Sequence, residues 1–208
     1  MKKERKLTKA EQRRQERFDR LTEQMLENGY SRKELTISIA KANVFAFVLL
    51  IPLAIIGFWL FFQINGAGGI STGLGTMFIF LVSIFVLIVV HEMIHGACWA
   101  VFSKNHLKDI EFGIMMPYLA PYCTCAEPLT KSQYLFGALM PLLLLGILPM
   151  IIGILAGSIL VLLIGILMAD AAAGDIMIAW KVIRFKSSAK EVVFIDHPTQ
   201  GGGVVFER

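Results

Sequence analysis

The sequence predicts an all-α membrane protein: four transmembrane helices, a short β-hairpin or loop insertion after the second, and a cytoplasmic C-terminal hairpin. Three observations predict it. Hydrophobic residues make up 56% of the 208 positions, above the roughly 45–50% usual in soluble domains. Apolar runs long enough to cross a bilayer recur along the chain. All twenty Lys and Arg residues fall in three segments, outside those runs.

Residues 1–42 form a polar, basic tail. Residues 1–43 hold twelve Lys/Arg against seven Asp/Glu. That excess reads as a topology signal with affinity for lipid head groups, and not as a nucleic-acid surface. Thr8 caps a predicted helix from Lys9 to Asn28, with Gly29 as its stop. Phe18, Leu21 and Met25 follow helical spacing on it. Ser31-Arg32-Lys33-Glu34 has the form of a capping box and predicts a second helix. The first apolar run starts more than forty residues in and has full span length, which argues against a cleavable signal peptide.

The membrane domain covers residues 43–180, with spans expected at about 43–62, 76–102, 134–156 and 158–180. The Gln63–Gly75 connection is uncharged and rich in Gly, Ser and Thr. The Ser103–Gln133 connection is polar. Within it, Asp109–Met115 alternates polar and apolar residues as a strand does, and Pro117, Pro121 and Pro128 predict turns. Pro141 and Pro149 predict kinks in the third span. In the 181–208 tail, Glu191–Ile195 and Gly203–Phe206 predict a hairpin. Four spans place both termini and the Ser103–Gln133 connection on one side, and these carry every Lys and Arg. The positive-inside rule makes that side the cytoplasm.

The chemistry is concentrated in His91-Glu92-Met93-Ile94-His95. Two histidines at i and i+4 lie on one helix face, which presents two imidazoles to one zinc ion with Glu92 beside the reacting water. Glu92 is the only Asp, Glu, Lys or Arg between Lys41 and Lys104, and an ionisable group inside an apolar span is costly enough to imply function. A catalytic zinc needs a third protein ligand. The remaining acids within the spans are Asp170 and Asp175. At a rise of roughly 1.5 Å per residue, His91 and His95 lie about 16 and 10 Å below the cytoplasmic end of their span, Asp170 about 15 Å and Asp175 about 8 Å. Depth does not choose between the two. The small residues Ala171–Gly174 suggest a close helix approach at this point.

His91-Glu92-x-x-His95-Gly96 in a span, the Pro117–Pro128 connection, a span containing Pro141, and Gly174-Asp175 late in the last span resemble the putative zincin peptidase family of bacterial membrane proteins. That family is itself similar to site-2 protease type intramembrane zinc metalloproteases. The resemblance covers Thr76 to the C-terminus. It implies a bound Zn2+, Asp175 as third ligand with Asp170 as the alternative, Glu92 as general base, a membrane-protein or peptide substrate, and a place in the bacterial cell membrane. Two other readings compete: a metal-binding scaffold or regulator without hydrolysis, and a metal or proton transporter using His91, His95, Asp170 and Asp175 as a relay. Four spans without an inverted repeat favour transport less. Cys98, Cys123 and Cys125 suggest no disulfide framework. Cys123 and Cys125 read as small buried thiols rather than as metal ligands with His106, and His197 reads as a turn residue.

Overall fold

The first helix forms where its caps dictate. Thr8 Oγ1 accepts the Glu11 N–H at 3.3 Å and the Glu11 carboxylate accepts the Thr8 N–H at 2.8 Å, the reciprocal box that satisfies two orphan donors. Helix α1 then runs Lys9–Glu27. The structure, a computed structural model, describes residues 7–66, 73–115 and 120–208. Pro117 and residues 67–72 of the expected Gln63–Gly75 connection lie outside those residues.

After α1 comes strand β1 (Ser31–Thr36), then helices α2 (Ile39–Asn65) and α3 (Leu74–Ala100). A 3-10 turn at His106–Asp109 leads into the hairpin β2 (Ile110–Met115) and β3 (Ala120–Cys125). Helix α4 (Lys131–Pro141) continues through a wider π-type turn at Leu142–Ile147 into α5 (Leu148–Leu155). Helices α6 (Ile159–Ala171) and α7 (Ala173–Arg184) follow, then strands β4 (Val192–Asp196) and β5 (Gly202–Glu207). Helices α2, α3 and the continuous α4–α5 unit are each long and apolar enough to cross a membrane, and the α6–α7 pair adds a fourth if it counts as one span. Their outer faces expose large apolar side chains such as Phe47, Ile55, Phe78 and Phe85, as a lipid-facing surface requires.

Three expectations are corrected. Residues 31–36 are a strand, not a helix: β1 pairs antiparallel with β5, Ser31 opposite Glu207. The capping-box pattern was a local signal, and a partner 176 residues away overrides it. The last apolar run is also not one straight span. Ala172, with ψ of 8°, leaves the helical region, and α6 and α7 meet at 49°. Pro121 lies within β3 instead of in a turn. The third helix departs from regular geometry at Leu142–Ile147, between Pro141 and Pro149.

The three basic segments pack together. The sheet order is β1–β5–β4, so the two tails share one sheet. Phe18 of α1 packs with Ile195, Val204 and Phe206 of that sheet. Arg17 Nη2 donates to Asp109 Oδ1 at 3.2 Å, and the Arg14 guanidinium lies 4.0 Å over the Tyr122 ring. Leu129 and Phe194 exchange backbone hydrogen bonds of 2.9 and 2.8 Å. Asp109 is the hub of this end: it is buried and accepts from Ser103 Oγ, Asn105 and Arg17. Burial works against its charge, but those donors outweigh it and hold the carboxyl below its usual range.

The hairpin β2–β3 lies directly on the end of α3. A side chain at Gly96 would place its Cβ 2.5 Å from the Phe112 ring and 2.9 Å from Ile110. The glycine next to His95 is therefore what lets the hairpin close over the motif.

Candidate metal centre

Most of α3 faces outward, but its last turns do not. Its buried residues are His91, His95, Gly96, Trp99 and Ala100, one stripe at helical spacing. Both histidines therefore point inward, 6% and 4% exposed. His91 Nε2 and His95 Nε2 are 3.1 Å apart. Asp175 Oδ2 lies 3.1 Å from the first and 3.5 Å from the second. Two imidazoles and a carboxylate are a donor set that zinc takes. Atoms 2.0–2.1 Å from a tetrahedral ion stand roughly 3.3 Å from one another. The triangle matches that edge, so these residues fit a metal ion; among the described residues they are the one His/Cys/Asp/Glu group that does.

Asp175 reaches the pair because of the bend. It sits in the first turn of α7, and the break at Ala172 separates it from Asp170 on α6. Asp170 Oδ1 is buried, has no hydrogen-bond partner among the described residues, and stays outside the group. Of the small residues expected to allow a close approach, Ala172 and Ala173 are buried. Gly174 does not contribute: a Cβ there would meet nothing within 4 Å.

Glu92 lines a cavity of about 160 Å3 together with His95, Asp175, Trp99, Tyr134 and Asp196. Its carboxylate faces the backbone amide of Cys123 in β3. Trp99 stacks on His95, with centroids 5.2 Å apart and planes at 15°, and Tyr134 stacks on Trp99 at 5.8 Å. Tyr134 Oη donates to Asp196 Oδ1 at 2.8 Å, and the Cys125 N–H donates to Asp196 Oδ2 at 2.9 Å. One carboxylate of the C-terminal sheet thus ties β3 to α4 at the edge of the site. Burial pushes the Asp196 carboxyl up to about 6, against those two bonds, which favour the charge.

A raised folded-state pKa means that the protonated carboxyl favours the folded state. Its contribution is fully present below the unfolded value of about 3.9 and is lost as pH rises through about 6. Wild-type protein in detergent should therefore lose stability relative to Asp196→Asn between pH 4 and 7, by at most about 3 kcal/mol. Thermal unfolding across that range measures it; a difference that does not change with pH would refute it.

The remaining sequence expectations separate clearly. Cys123 and Cys125 are buried and free, and burial raises both thiols, Cys125 to about 12. His106 Nδ1 donates to the Ala100 carbonyl at 3.0 Å and joins no cysteine. His197 Nδ1 accepts the Thr199 and Gln200 N–H groups, as a turn residue does. Trp99, Tyr134, Gly137 and Asp196 went unnoticed at the sequence level. Trp99 had a local signal, one helical turn after His95. Asp196 had none, because only the packing of the two tails brings it to the site.

The sequence pattern of a family described as "Putative zincin peptidase" matches residues 84–190. The match covers just over half of the chain and takes in the two histidines, Glu92, the hairpin and both aspartates. No curated protein and no solved structure matches.

Proposed function

The chain belongs to the family described as "Putative zincin peptidase", and on that footing we propose that it is a membrane-embedded zinc metallopeptidase of the site-2 protease type. Its substrate is a peptide bond of a membrane-associated protein. The observation that carries this is the triangle of His91 Nε2, His95 Nε2 and Asp175 Oδ2, with Glu92 on the wall of the same cavity. His91, His95 and Asp175 would hold the metal, which when bound would supply Lewis-acid chemistry and a more acidic water. Glu92 takes the proton from the attacking water and returns it to the leaving amine.

The chain crosses the bacterial cell membrane four times, with α6–α7 as a bent last span and both termini in the cytoplasm. The shared sheet of the two tails and the placement of every Lys and Arg support that topology. The cavity, bordered by Tyr122, Thr124, His197 and Gln200, then opens to cytoplasmic water. A substrate segment must be extended to expose its peptide bond, and an unpaired strand edge can hold it so. The edge beside the cavity is that of β3, through Cys123; the edges expected from the sequence were the Asp109–Met115 strand and the C-terminal hairpin. Lipid surrounds the spans.

The test is to purify the protein in detergent, quantify zinc, and assay cleavage of a membrane-anchored peptide before and after chelation. About one zinc per chain, with hydrolysis lost on chelation and restored by zinc, is the expected result. Protein without zinc would remove the metal centre, and zinc without hydrolysis would leave a metal-binding scaffold.

A further inference from the structure

In an uninterrupted α-helix the carbonyl of residue 137 takes the N–H of residue 141. Here residue 141 is proline, which has no N–H. The Gly137 carbonyl is instead 2.9 Å from His95 Nδ1. A carbonyl oxygen only accepts, so Nδ1 carries the proton, and in the neutral ring the lone pair is then on Nε2. That is the nitrogen facing His91 Nε2 and Asp175 Oδ2. We propose that Pro141 is a positioning residue for His95: by withholding its own N–H it leaves the Gly137 carbonyl to fix the His95 tautomer and aim Nε2 at the metal. This rests on the metal-centre reading above.

Two further features fit that role. Gly137 can have no side chain, since a Cβ there would lie 2.0 Å from Trp99 Nε1. The bare backbone is what brings the carbonyl within reach of a ring that Trp99 already holds flat by stacking. The π-type turn at Leu142–Ile147 begins directly after Pro141. Helices α4 and α5 remain one long apolar helix across it. His91 has no equivalent device among the described residues, where its buried Nδ1 finds no hydrogen-bond partner.

Pro141→Ala restores the N–H, which competes with His95 for the Gly137 carbonyl. Two measurements on the full-length protein in detergent decide the matter. In zinc-free protein labelled with 15N-histidine, His95 should show the Nδ1–H tautomer in the wild type and lose it in Pro141→Ala. In competition with a chelator, the variant should bind zinc roughly 10–100-fold more weakly, the usual effect of losing an outer hydrogen-bond partner of a metal ligand. Gly137→Ala, which displaces Trp99 and the carbonyl together, should weaken zinc binding at least as much. An unchanged tautomer in Pro141→Ala overturns the proposal, even if affinity falls, because the fall then reports lost packing around a buried proline. Wild-type affinity in Pro141→Ala overturns it too. Wild-type protein that binds no zinc overturns the metal centre instead and leaves the tautomer measurement to decide the role of Pro141.

Discussion

Asp175→Asn is expected to strip the protein of stoichiometric zinc, while Asp170→Asn leaves it in place. The asparagine keeps the shape of the side chain but removes the charge that two neutral imidazoles do not supply. Asp175 Oδ2 is within 3.5 Å of both histidine Nε2 atoms. Its loss should therefore cost more than the roughly 10–100-fold typical of an outer hydrogen-bond partner. Asp170 belongs to the other side of the helix break and to no such group. Zinc quantification after gel filtration reads the result. Equal loss in the two variants, or one zinc per chain in Asp175→Asn, would sink the assignment.

Glu92→Gln should keep the zinc and lower the rate of hydrolysis by roughly 10²–10⁴-fold, the usual worth of a positioned general base. The carboxylate is not one of the three converging groups, yet it lines the same cavity. An amide of the same size preserves packing and accepts no proton. His91→Ala is the contrast, because it removes a ligand and should lose both zinc and activity. Full hydrolysis by Glu92→Gln would exclude Glu92 as the base and reopen the choice of mechanism.

The candidate site was legible to different degrees. The His91–His95 pair was plain because helical periodicity alone puts i and i+4 on one face. The third member was not, because rise per residue reports depth and says nothing of which way a side chain turns. By depth Asp170 and Asp175 were therefore equivalent, and only the family resemblance favoured Asp175 until the bend at Ala172 appeared; no proline or glycine at that residue announces it. The Gly137–Pro141 spacing could be read from the chain, but the histidine that uses it is 42 residues away. Strand β1 shows the same limit from the other side: Ser31–Glu34 had a valid helix-start pattern, and pairing with the C-terminal strand overrode it.

By itself the sequence determined the lipid-compatible helices, the cap of α1, the alternation of β2 and the pair of histidines on one helix face. Each of these is a local property of composition or period. Only the tertiary structure decided which aspartate faces the histidines, that the two tails share a sheet, and that Asp196, Tyr134 and Gly137 border the site. Those depend on how helices rotate and bend against one another. The physical reason is that long-range packing and hydrogen bonding select among conformations that local signals leave nearly equal in energy.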